Sequence, residues 1–187
     1  ILDWDEIVRT ELELPLIGGG MAQPWTDKEP AKPVADVTLR MTFQSEVAVA
    51  QPQLALEQAA AATITLDGKP VAAADITGYF TDKAIQTVSL PDIEPGTHTL
   101  EITYPYTRKS YLEWCYLLGD FGVRVSGRHA CLIAPVRKLT FGDWTTQGLP
   151  FYGGNVTYHC QVAGQNNEHN LAVRIARHID PSLIARR

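Results

Sequence analysis

Basic charge is scarce in this chain, and so are sulfur and long apolar runs. Sixteen Lys and Arg against 21 Asp and Glu leave a formal net charge of −5 over 187 residues. Proteins that grip a phosphate backbone concentrate Lys and Arg on one face and gain affinity by releasing counterions. Here the only basic cluster is Arg174, Arg177, Arg186 and Arg187, which reads as a solvated strand edge and tail, so no nucleic-acid partner is expected. No apolar run reaches the roughly 20 residues that a spanning helix needs. No basic segment leads into an apolar one at the N-terminus. The chain therefore reads as soluble, with no membrane partner. It starts with Ile1 and stops at Arg187, and is expected to be a piece of a longer polypeptide.

The three cysteines, Cys115, Cys131 and Cys160, are odd in number and widely spaced. That pattern fits neither a disulfide framework nor the paired short spacings of structural zinc, and the three read as small buried apolar residues. His129-x-Cys131 and His159-Cys160 carry ligand-type side chains, but consecutive strand residues point to opposite faces. No metal or other cofactor is expected.

Catalytic signatures are missing as well. Gly18-Gly19-Gly20 is followed by neither a Gly-Lys-Ser/Thr nor a complete G-x-G-x-x-G, and it lies in a run broken by Pro15, Pro24, Pro30 and Pro33 that reads as a linker. No Gly-x-Ser-x-Gly elbow surrounds any serine, and Asp120-Phe121-Gly122 has no companion kinase loops. Asn155-Val156-Thr157 is a formal glycosylation sequon, relevant only in a secretory setting.

What the chain does have is alternation. Val37, Leu39, Met41 and Phe43 alternate with Thr38, Arg40 and Thr42, the period of a strand with one face buried. Ala62, Ile64 and Leu66 alternate with threonines and run into Asp67-Gly68, a dipeptide that accepts the positive φ angles of a tight hairpin, with Val71 on the return. Ile85, Val88 and Leu90 lead to Glu94-Pro95-Gly96, a turn, and Leu100, Ile102 and Tyr104 then alternate again. Further strand candidates are 111–125, 132–139, 156–162 and 171–179. Residues 1–14 fit neither period cleanly and read as a short helix or an extended arm. Short strands with turns between them and no helical period predict an all-β sandwich or barrel.

Three stretches resemble one family. Residues 64–71, Tyr79-Phe80-Thr81-Asp82 and residues 93–102 resemble the galactose-binding-like jelly roll, in which an Asn/Asp-Gly hairpin is followed by a strand after a Pro-Gly turn. Residues 112–123 and 142–158, the second containing Trp-x-x-Gln-Gly-x-Pro-Phe-Tyr-x-Gly, are similar to the sugar-binding domain of glycoside hydrolase family 2 and related rhamnosidase-type enzymes. The likeness covers roughly 33–162. It implies a jelly-roll β-sandwich that is a non-catalytic accessory part of a larger glycoside hydrolase, with the catalytic carboxylates on another domain. It divides the chain into an arm and linker over 1–32, a sandwich over 33–140, and a segment over 141–187 that either completes that sandwich or opens a second, truncated one. The expected partners are a carbohydrate or a neighbouring catalytic domain of the same polypeptide.

Sugars are held by aromatic faces against ring C–H groups and by planar polar side chains on the hydroxyls. Two clusters offer this: Glu113, Trp114, Tyr116 and Asp120, and Asp143, Trp144, Gln147, Tyr152 and Asn155. The candidate carbohydrate-binding residues are Trp114, Trp144 and Tyr152 as stacking platforms and Asp120 as a hydroxyl acceptor. The plainer alternative is that these aromatics fill the core or meet a neighbouring domain, in a structural sandwich with no sugar affinity. A third reading, a self-contained glycosidase, would pair Glu113 with Asp120 or Asp143 across a scissile bond.

Overall fold

The computed structural model of the chain describes residues 2–17, 30–72 and 76–159. After a helix, α1 (Leu2–Glu11), come ten strands. These are β1 (Pro33–Ser45), β2 (Gln53–Glu57), β3 (Thr63–Leu66), β4 (Lys69–Val71), β5 (Ile76–Phe80), β6 (Asp82–Ser89), β7 (Gly96–Thr107), β8 (Cys115–Leu118), β9 (Gly122–Ser126) and β10 (His129–Ile133). They form a six-stranded sheet ordered β4-β3-β7-β1-β10-β9 and a four-stranded sheet ordered β5-β6-β2-β8. The two sheets pack as a sandwich, so the chain is all-β. All pairings are antiparallel except β1 with β10.

The alternating stretches become these strands for the expected reason. Met41 lies opposite Leu100 and Leu39 opposite Ile102 across the β1/β7 pair, so one face of the long ribbon is apolar. Leu54, Leu56 and Val88 of the smaller sheet close against it and join Ile64, Leu66, Leu100 and Ile102 in one core cluster. Asp67-Gly68 makes the β3–β4 hairpin, both residues holding positive φ (53° and 72°). Beside that turn the buried His98 bonds through Nδ1 to the Asp67 carboxylate and through Nε2 to the Glu94 carbonyl, each at 2.7 Å.

The N-terminal segment resolves as helix and has a definite job. β1 and β7 extend beyond the smaller sheet, and α1 covers the uncovered end, where Val8 and Leu12 pack with Leu39, Tyr106 and Leu112. Asp5 and Arg9, at 1% and 0% exposure, point into this contact. The Asp5 carboxylate accepts bonds from Arg9 Nε (2.8 Å), Tyr106 Oη (2.7 Å) and the Leu112 amide (2.8 Å). Arg9 also donates to the carbonyls of Pro15 and Ser110 and lies over the Tyr106 ring. A buried ion pair is tolerated only when its remaining donors and acceptors are filled, and here they are.

Two expected strands differ. β10 ends at Ile133, and 134–140 continues irregularly; residues 156–159 are likewise irregular, while 160–162 and 171–179 lie outside the described residues. Alternation alone makes a strand only where a partner edge is free, and over 141–159 the chain is instead folded on itself around a short 3-10 turn, Trp144–Gln147. Gly18-Gly19-Gly20, Cys160 and the terminal arginines also lie outside the described residues. Cys115 and Cys131 are free thiols, each half-buried rather than sealed, and Cys115 Sγ lies 3.7 Å from Met41 Sδ. Among the described residues no helix is long and apolar enough to cross a membrane.

Candidate functional site

The four candidate residues do not converge on one place. Trp114 precedes β8 and Asp120 follows it, so they are separated by that four-residue strand, roughly 13 Å at about 3.3 Å per residue. Glu113 and Asp120 are held apart in the same way. Asp120 sits instead on the side of Gly148, whose carbonyl accepts from the Val123 amide at 2.8 Å, and its carboxylate is bound to Arg137 at 2.6 Å.

Trp144 and Tyr152 do come together, the indole N–H donating to the Tyr152 carbonyl at 3.3 Å. Most polar groups around them hold the loop in shape. Asp143 caps the 3-10 turn through the Thr145 amide and hydroxyl, and these bonds hold its carboxyl below its usual range. Gln147 accepts from the Thr140 amide and hydroxyl and donates to the carbonyls of Thr140 and Asp143. The Tyr152 hydroxyl donates to the Asn155 carbonyl at 3.1 Å. What this segment leaves outward is apolar: Phe151 is 76% exposed, Tyr152 46%, and Phe141 stacks on Tyr158 at the surface.

The other cluster is arranged differently. In β8, Cys115 and Leu117 pack inward against the core cluster, which turns Tyr116 and Trp114 to the outer face of the four-stranded sheet. Tyr116 lies opposite Ala55, and Ala55 opposite Thr87. Ala55 and Thr87 face outward yet are buried. The cover comes from the β5–β6 hairpin, whose register shifts at Ile76/Gly78 and Tyr79/Phe80 curl it over the sheet. This brings the Phe80 ring to 5.6 Å from Tyr116.

The β2/β8 register ends with Leu56 opposite Cys115; β2 closes at Glu57, and Trp114, which is 61% exposed, is the residue before β8. Just beyond lies a cleft of about 350 Å³ counted out to open solvent, whose lining includes Glu57, Gln58, Tyr104, Ser110, Tyr111 and Glu113. Burial raises the Glu57 carboxyl above its usual range, and the charges of Glu113 and Asp82 push it the same way. Tyr111 is raised by burial and then by both glutamates, and the Tyr104 phenol is pushed well up by burial, then by Cys115 and Glu57. Tyr116 and Trp114 thus lie on the outer face of the four-stranded sheet, and Glu57 and Glu113 line the cleft at its end.

Sequence reasoning found Glu113, Trp114 and Tyr116 but missed Glu57, Tyr104 and Tyr111. Glu57 ends β2 some 56 positions before Glu113 in the chain, and the pairing of β2 with β8 brings the two to one cleft. Among the described residues no group of three or more His, Cys, Asp or Glu is placed to hold a metal ion. Comparison with protein-family models, with curated proteins and with solved structures finds no match to this chain.

Proposed function

We propose that this chain is a non-catalytic carbohydrate-binding module, a β-sandwich of the galactose-binding-like jelly-roll kind serving as an accessory domain of a larger glycoside hydrolase. The observation that carries the reading is the outer face at Trp114. An exposed indole shares the outer sheet face with Tyr116, and its chain neighbour Glu113 lines, with Glu57, the cleft at the end of that sheet. Such a face supplies both halves of sugar recognition, a flat apolar surface for ring C–H groups and acceptors for hydroxyls. The two carboxylates line a cleft, the usual location of small-ligand sites.

A second role in the same module is favoured by a separate observation. Phe141, Phe151 and Tyr152 are exposed on a segment whose polar groups are already engaged with one another. That surface suits contact with a neighbouring domain of the same polypeptide, the bracing role.

Calorimetric titration with a panel of soluble oligosaccharides tests the reading. At least one is expected to bind, and Trp114→Ala is expected to weaken it about tenfold or more, because truncating an aromatic anchor at the centre of a binding face typically costs 1.5 kcal/mol or more. The melting temperature should hardly change, since the indole is mostly exposed. Failure of every sugar to bind would overturn the proposal, and so would turnover of aryl glycosides abolished by Glu57→Gln.

A further inference from the structure

Resting on that reading, we propose that Asp5 and Arg9 are positioning residues for Trp114. They hold two backbone groups of the 110–112 segment, fix where the chain enters β8, and so keep the indole set for a sugar ring. Both side chains are buried, and their effect on a ligand runs through the chain they hold.

The contacts are directional and long-range. Arg9 donates to the Ser110 carbonyl, and the Asp5 carboxylate accepts from the Leu112 amide, across 101 and 107 positions of sequence. The segment is tied on its other side as well. The Ser110 amide donates to the Thr107 carbonyl at 3.1 Å, and the Ser110 hydroxyl accepts from the Thr107 amide at 3.0 Å. Leu112 is then buried with Leu39 and Tyr106. Cys115, the first residue of β8, packs against the main core. Two residues, Glu113 and Trp114, lie between these anchored points, which leaves the backbone under the indole little room to move.

An apolar pair in place of Asp5 and Arg9 would attach α1 equally well, since replacing a buried ion pair by hydrophobic residues is often neutral or stabilising. It would not hold one particular carbonyl and one particular amide. The ion pair thus adds placement of the segment to the attachment that Val8 and Leu12 supply. An exposed aromatic on a fixed backbone loses less conformational freedom on binding than one on a loose loop, and the difference is read as affinity.

The double change Asp5→Leu with Arg9→Met tests this, because it keeps α1 apolar toward the sandwich and leaves the Ser110 carbonyl and Leu112 amide without those partners. In 15N relaxation the Trp114 amide is expected to fall from an order parameter of about 0.85, that of rigid backbone, toward about 0.6. In calorimetry with cellotetraose, xylotetraose and galactotetraose, each sugar that binds the wild type should bind about tenfold more weakly, the cost of ordering one or two residues on binding. Arg9→Lys, a milder change that keeps the charge beside Asp5 and gives up the guanidinium fork, should shift both readouts the same way by less. Ile93→Val, a core change beside the far ends of β1 and β7, should lower the melting temperature and move neither. A Trp114 amide as rigid in the Asp5 and Arg9 variants as in the wild type would overturn the positioning role, as would unchanged affinity, and either result leaves the carbohydrate reading standing. An equal loss of affinity in Ile93→Val would assign the effect to stability and overturn it too. Binding of no sugar by the wild type would overturn both readings.

Discussion

His98 gives the fold a pH dependence whose sign follows from its two hydrogen bonds. Nδ1 faces the Asp67 carboxylate and Nε2 faces the Glu94 carbonyl, both at 2.7 Å. Both partners are acceptors, so both ring nitrogens must carry protons and the satisfied species is the imidazolium. Burial pulls the His98 pKa down, but the Asp67 bond, the Glu94 bond and the Asp67 charge outweigh it, and the net direction is up. For Asp67 burial pulls the other way, and the bonds from His98 and the Thr99 amide bring the net direction down. The contribution of a raised histidine is complete below its unfolded pKa of about 6.5 and is lost as pH rises through the higher folded value. That of a lowered aspartate is present above its unfolded value of about 3.9 and is lost as pH falls through the lower folded one. The pair therefore stabilises most between about pH 4 and pH 6.5. Bonds to charged groups contribute about 1.5 to 3 kcal/mol each when buried. The Asp67 side chain is 41% exposed, which reduces its share to about 1 kcal/mol or less. A loss of about 1 to 2 kcal/mol is thus expected between pH 6 and pH 9. Urea unfolding of the wild type and His98→Gln at both values measures it, since the difference between the two proteins cancels the other titrating groups. A wild type that gains stability relative to His98→Gln as pH rises would refute the reasoning, as would a folded His98 titrating at or below the unfolded value by NMR.

Three other outcomes follow from the packing. Arg9→Met should destabilise by about 3 to 5 kcal/mol in urea unfolding, because it leaves Asp5 charged and buried, whereas the double change Asp5→Leu with Arg9→Met should recover much of the loss. Gly148→Ala should cost about 2 to 4 kcal/mol by the same measurement: φ there is +93°, and an added Cβ would lie 2.7 Å from Val136 Cγ2. Leu54→Ala, at a position with no exposure in the core, should cost about 2 to 5 kcal/mol in urea unfolding and lower the thermal midpoint.

The strands that sequence located best are those with one wet face. Val37 to Phe43, Ile64 to Leu66 and Leu100 to Tyr104 alternate cleanly because the outer face of the six-stranded sheet is left to threonine, arginine and glutamate. β5 escaped because its bulges break the period and its outward residues are themselves aromatic. α1 read ambiguously because Asp5 and Arg9, an i,i+4 pair normally found on a wet helix face, are turned inward here and hide its apolar stripe. At the candidate site, local aromatics were legible and their partners were not. Trp144 and Tyr152 share a segment and meet, whereas Trp114 and Asp120 flank β8 on opposite ends and are held apart by its length. Glu57 and Glu113 reach one cleft through the pairing of β2 with β8, which no window of sequence contains.

The Asp5–Arg9 plug has a mechanical consequence. Arg9 holds the Ser110 carbonyl and Asp5 holds the Leu112 amide, so the helix is riveted to the very loop that presents Glu113 and Trp114. Detaching α1 would therefore release not only the end of the sandwich but also the segment leading into β8, a hundred positions away in sequence.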